Sequence, residues 1–122
     1  MTSKKPSSGS RPSRAEAVAD TWIIRPASAQ SAKEWQAAFD DRPDLMQAER
    51  ERLRTRPMDR SANPRRTAQL HGPLATRRLG GVTLPQWQHE ITSSGRIWYC
   101  PDKREHVVWV TKVDLRHPKE TE

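Results

Sequence analysis

QWQHEITSSGRIWYCPDKREHVVWVTKVDLRHPKET, residues 86–121, is the stretch on which the fold turns. It holds three runs rich in Trp, Ile, Val and Tyr: QWQHEI (86–91), RIWYC (96–100) and HVVWVTKVDL (106–115), separated by TSSG and PDKRE. Branched and aromatic side chains pack well on a pleated surface, while Gly, Ser, Pro and Asp suit tight reversals, so the pattern predicts three consecutive antiparallel strands. The shortest registers through the two turns put Ile91, Arg96 and Thr111 in one cross-strand row. They also bring Arg96 and the segment Leu115-Arg116-His117 to the same end of the sheet. On those registers Trp87, Trp98, Trp109, Val107, Val113 and Leu115 share the core face, and Glu90, Ile97, Tyr99, Val108, Val110 and Lys112 share the other. A slip of one residue, or a bulge, inverts the faces and leaves the common end in place.

Upstream, TWIIR (21–25) reads as a short strand stopped by Pro26. Ser31 followed by Glu34 is a capping-box pattern, predicting a helix with Trp35, Ala38 and Phe39 on one face. Asp40, Asp41 and Pro43 interrupt it, and Pro43 opens a second helix with Leu45, Met46, Glu49 and Leu53 at helical spacing, ended by Pro57. Residues 58–84 dissolve into Pro, Gly, Arg and Thr and read as a long loop anchored by Leu70, Leu74 and Leu79, with a turn at Gly80 and Gly81. The order is β-α-α-β-β-β. It predicts an α+β domain, a small mainly antiparallel sheet with a helical hairpin packed on one face.

A chain of 122 residues makes one small domain. With 33% hydrophobic residues and a mean hydropathy of -0.99, part of it is expected not to fold. Residues 1–20, which carry MTSKKPSSGSRPSR, are the expected disordered basic tail, 21–118 the domain, and 119–122 a flexible end. No apolar signal region and no run of membrane-spanning length is present, so the expectation is a soluble cytoplasmic protein with no membrane partner. The lone Cys100 allows no internal disulfide and reads as a packed hydrophobe. His71, His89 and His106 lack metal-ligand spacing. Neither a metal nor a small-molecule cofactor is expected.

The net charge of +7 is concentrated. Between Arg50 and Arg78 stand nine arginines and no lysine, against Glu51 and Asp59, while the rest of the chain balances. The guanidinium fork matches phosphate oxygens, so the block fits a polyanionic partner. A solvated helix face in an Arg-rich composition gives the same run.

Strand, helical hairpin, basic linker, a Trp-bearing strand, GRIWY and VVWV ending in RHP: this order resembles the RelE/ParE superfamily of bacterial toxins, and its RelE/YoeB-like branch above all. The likeness is clearest over residues 86–121 and extends from Thr21. It implies a RelE-like fold and the toxin of a type II toxin-antitoxin system, whose partners are a cognate antitoxin protein, the ribosome and mRNA. In that branch an Arg opens the strand before the last and a His lies just past the final one; here these are Arg96 and His117. The implied activity is that of an mRNA endonuclease inhibiting translation by metal-independent attack of a 2′-OH on the scissile phosphate. ParE relatives instead inhibit DNA gyrase without such a site. A basic nucleic-acid-binding protein on the same scaffold is a third reading.

Cleavage of this kind needs a base for the 2′-OH proton, an acid for the leaving 5′-oxygen, and cations for the charge on phosphorus. His117 is the candidate acid or base, Arg96 the phosphate stabiliser, and Glu90, diagonal to Arg96, a further base. The linker residues Asn63, Pro64, Arg65 and Arg66 carry no carboxylate where a YoeB-like member has its Glu, which favours a cation-rich site. Arg65, Arg66, Arg77 and Arg78 are therefore candidate phosphate contacts. Tyr99 is a candidate base-stacking residue if its face is open.

Overall fold

The computed structural model describes residues 21–61 and 64–115. The expected tail, Asn63, Arg116, His117 and the flexible end lie outside the described residues. Strand β1 (Ile23–Pro26) leads into helix α1 (Ala29–Asp41) and helix α2 (Pro43–Thr55). There follow β2 (Thr67–Gln69), a 3-10 turn (Gly72–Leu74), β3 (Thr76–Leu79), β4 (Val82–Pro85), β5 (Trp87–Glu90), β6 (Arg96–Asp102) and β7 (Val107–Asp114). The domain is α+β, as the sequence predicts.

Helix α1 starts three residues earlier than the Ser31–Glu34 pattern suggests. Ser28 is the cap: its Oγ accepts the Ser31 N–H at 3.1 Å, and the Ser31 Oγ accepts the Ser28 N–H at 3.0 Å. Ser31 thus takes the reciprocal position a Glu usually fills. Glu34 is free to tie the helix to the sheet, its Oε1 accepting the Val113 N–H at 2.9 Å. That N–H is available because β1 ends with Pro26 opposite Val110. Pro43 opens α2 at a position whose N–H has no helical partner in any case, and Arg52 and Arg54 sit in the last turn, where the helix dipole favours cations.

The main sheet has the order β1-β7-β6-β5-β2, with β1 parallel to β7 and every other pair antiparallel. Both helices lie on one face. Ala38, Met46 and Leu53 meet Ile91, Ile97, Tyr99, Val108, Val110 and Val113 there, with Trp35, Phe39, Leu45 and Trp87 packed around them.

The register differs from the shortest one. Glu90 pairs with Arg96 and Arg96 with Asp114, in place of Ile91–Arg96–Thr111. Between β6 and β7, Trp98 faces Lys112 but Tyr99 faces Val110, so Thr111 is an extra residue in a bulge. A bulge breaks the period of two, which is how Val108, Val110 and Val113 all reach the core. Ile97, Tyr99, Val108 and Val110 lie on the helix side, and Trp98, Trp109 and Val107 on the far side: alternation groups these residues correctly, but the group expected to face away from the helices is the one that packs on them. Trp87, Val113 and Leu115 sit on the core side as expected.

Residues 58–84 are not one loop. β3 and β4 form a hairpin closed by Gly80 and Gly81, whose φ values of 58° and 82° demand glycine in a two-residue turn. The hairpin lies on the far face of β6, where Leu84 and Cys100 are buried. Buried Gln86 anchors it, accepting the Thr111 hydroxyl at 2.6 Å and donating to the Leu74 carbonyl at 3.0 Å. The Leu74 side chain is exposed, and this residue contributes its carbonyl.

Candidate functional site

The helices cover one face of the sheet and the hairpin covers part of the other, leaving one end of that second face open. Alternate residues of a strand point the same way, so Arg96, Trp98 and Cys100 of β6 share this face. Register places Glu90 and Asp114 on either side of Arg96, and Gln88 and Lys112 on either side of Trp98. Arg96 is exposed and Trp98 half-buried. The indole N–H of Trp98 donates to Gln88 Oε1 at 2.8 Å, and Lys112 Nζ stands 5.3 Å from the ring centre, a cation–π contact. At the hairpin's edge, burial pushes the Cys100 thiol up to about 11, with the Arg77 guanidinium pulling the other way.

The turn between β5 and β6 holds this end together. The Ile91 N–H donates to the Gly95 carbonyl at 2.9 Å, and the Gly95 N–H to Thr92 Oγ1 at 2.8 Å. A methyl group on Gly95 would stand 2.8 Å from Thr92 Oγ1, 3.0 Å from Leu115 Cδ2 and 3.3 Å from Leu115 Cα. The end of β7 and the start of β6 therefore touch at this glycine. Gly95→Ala is expected to force them apart, lowering unfolding free energy by about 1–3 kcal/mol, the usual cost of overpacking. Urea denaturation checks the loss.

His117 lies outside the described residues; Leu115, two positions before it, packs beside Gly95. Glu90 is directly across from Arg96 and not diagonal to it. Arg66 is already engaged: Nε and Nη2 donate to the Glu90 carbonyl at 3.0 and 2.5 Å, and Nη2 to the Ile91 carbonyl at 2.7 Å. It clamps the end of β5 more than it offers a fork to phosphate. Arg65 is exposed. Arg77 and Arg78, both exposed, point to opposite sides of the hairpin: Arg77 pairs with buried Leu84, Arg78 with Thr83, whose hydroxyl it reaches at 3.4 Å. The four arginines do not form one patch.

Tyr99 does not face solvent, contrary to the expectation of a base-stacking role. Its ring is wholly buried, its hydroxyl donates to the Pro57 carbonyl at 2.5 Å, and Arg52 Nη2 donates to it at 3.3 Å. No face is open to a base. Tyr99 and Trp98 lie on opposite faces, as alternation requires, and it is the Tyr99 face that meets the helices.

Beneath the sheet lies a polar cluster that spacing alone does not reveal. Glu49 of α2, its side chain 3% exposed, takes Arg52 bidentately at 3.1 and 2.8 Å. Its Oε1 lies 3.5 Å from His89 Nε2, and His89 Nδ1 lies 2.7 Å from Thr67 Oγ1. A carboxylate calls for a donor, which assigns the proton to Nε2 and leaves Nδ1 to accept the Thr67 hydroxyl. Burial raises the Glu49 carboxyl above its ordinary value, with Arg52 opposing. Burial, with Arg52 and Arg66 nearby, lowers His89 to about 3, so the ring is neutral at physiological pH. Thr67 is 3% exposed and beyond the reach of a substrate. This cluster fastens α2 to β2, β5 and β6.

Among the described residues, no group of three or more His, Cys, Asp or Glu is arranged to hold a metal ion. No described helix is long and apolar enough to cross a membrane. In comparisons with family models, curated proteins and solved structures, the chain finds no match.

Proposed function

We propose that this chain is a RelE/ParE-type toxin acting as an endonuclease on ribosome-bound mRNA and held in check by a cognate antitoxin in the cytoplasm. The observation that carries the reading is exposed Arg96, on the sheet face the helices leave open, next to Gly95, where the end of β7 touches the start of β6. His117 is joined to Leu115 by two residues of chain, a reach of about 7 Å. In this reading Arg96 holds the non-bridging phosphate oxygens through its fork. Glu90 or His117 takes the 2′-OH proton, the 2′-oxygen bonds to phosphorus, and the bond to the 5′-oxygen breaks. The departing oxygen takes its proton from His117. Arg65 and Arg77 add positive field from the linker and the hairpin.

In cell-free translation the full chain should stop synthesis, and Arg96→Ala and His117→Ala should each weaken it about 100-fold or more, the scale on which general acid–base groups act. Full potency in both variants would refute the reading. Glu90 and Asp114 beside Arg96 weaken its field for phosphate, which favours, as second reading, a ParE-like surface that binds DNA gyrase without cutting RNA. Loss of supercoiling with intact mRNA would decide for it.

A further inference from the structure

We infer that Trp98 is the stacking platform for a nucleobase of single-stranded RNA, with Lys112 and Gln88 fixing its ring and Arg96 and Arg77 taking the phosphates on either side. The inference rests on the reading of this face as an RNA site and names what that face grips.

A tryptophan on an open sheet face offers a large flat surface that does not discriminate among bases, and single-strand binders combine such surfaces with cations that follow the backbone. Trp98 is half-buried, so part of its surface meets solvent. The ring is held in place: Gln88 Oε1 takes the indole N–H at 2.8 Å, which orients the plane before any ligand arrives. Pre-orientation lowers the ordering cost of binding. Lys112 Nζ, 5.3 Å from the ring centre, covers one ring face in the free protein. Its flexible stem can swing aside for a base and keep the charge nearby.

The surroundings carry the complementary charge. On β6 the same face presents Arg96 on one side of Trp98 and, on the other, Cys100, buried under the hairpin on which Arg77 pairs with buried Leu84. Lys112 thus lies over the indole, while Arg96 and the hairpin that carries Arg77 stand on its two sides along the strand. Glu90 and Asp114 flank Arg96 and offset part of that charge. Attraction to phosphate alone is therefore modest, and the base contact must supply much of the grip. The occupant is a single-stranded nucleotide and not a duplex, because a paired base cannot lay its face on the ring.

The test is fluorescence anisotropy with the full chain and a labelled 2′-O-methyl octamer, which cannot be cleaved, in two forms: all bases present, and abasic at the central positions. The wild type should bind the complete octamer about 5- to 100-fold more tightly than the abasic one, the span of one stacked base. Trp98→Leu should remove that difference, and Trp98→Phe should retain part of it. Equal affinity of the wild type for both octamers, or binding to neither, overturns the inference. A Trp98→Leu protein that fails to fold leaves the wild-type comparison and Trp98→Phe to decide. Translation assays on the same proteins separate the two claims. Inhibition by a wild type that ignores the base refutes the platform and spares the toxin; base-selective binding without inhibition does the reverse.

Discussion

Arg52→Ala is expected to lower unfolding free energy by about 3–5 kcal/mol, the usual consequence of removing one partner from a buried ion pair. Glu49 is 3% exposed at its side chain and takes both of its strong hydrogen bonds from Arg52. The same guanidinium donates to the Tyr99 hydroxyl and reaches the Pro57 carbonyl at 3.4 Å. One substitution thus leaves a buried carboxylate without its hydrogen-bonded cation, with a neutral histidine 3.5 Å away and Arg66 as the remaining charge nearby. Removing both charges is a different matter: in Glu49→Met/Arg52→Leu no uncompensated charge remains, and most of the stability should return. Urea denaturation of the three proteins checks this. A loss below about 1 kcal/mol in Arg52→Ala would mean that the pair does not fasten α2 to the sheet.

Acid should loosen the same cluster. His89 binds its proton near 6.5 when unfolded and at about 3 when folded, so between those values the unfolded chain holds more protons. Its contribution is complete above pH 6.5 and is lost as pH falls toward 3. Each unit of difference is worth about 1.4 kcal/mol, and screening at the ring's 15% exposed edge reduces the sum, leaving about 2–3 kcal/mol. Glu49 works in the opposite sense, because a raised carboxyl favours the folded state as it protonates. The comparison that isolates the histidine is therefore His89→Gln against the parent in denaturant titrations from pH 7 to 4. The parent should lose stability on acidification and the variant should lose much less. Parallel curves would contradict the assignment.

These two predictions concern residues whose importance the sequence only half discloses. Glu49 lies at helical spacing with Met46 and Leu53, on the stripe that faces the sheet, and Arg52 follows three positions later. A carboxylate on an apolar stripe with an arginine one turn on is the mark of a buried pair. His89 carries no such mark, because its partners come from Thr67 and from the helix, both distant in the chain. The helical pair was legible from its prolines and its apolar spacing, and the three-strand meander from its aromatic and branched runs. The hairpin was not: its strands have four residues each, and TRRL and VTLP show no clean alternation, so only Gly80-Gly81 announces the turn.

The bulge at Thr111 and the one-residue shift between β5 and β6 had the widest consequence. They put Val113 and Trp87 on the face of Tyr99 and away from that of Trp98. The spacing of Arg96 and Trp98 two apart in RIWYC already required that they share a face. What it could not tell was which face, since the five tryptophans look equally suited to a core. Covering part of the far face with a hairpin makes both sides of the sheet demand large side chains, and hydrophobicity then stops marking the inside.

Arg96 survives every revision of register, because it opens β6 at the end where β7 leaves the sheet. The most direct test of its role is to map transcript 5′ ends after induced expression of the wild type and of Arg96→Ala. New ends within translated messages in the wild type, absent in the variant, are the predicted result. Unchanged transcripts in cells arrested by the wild type would contradict the account.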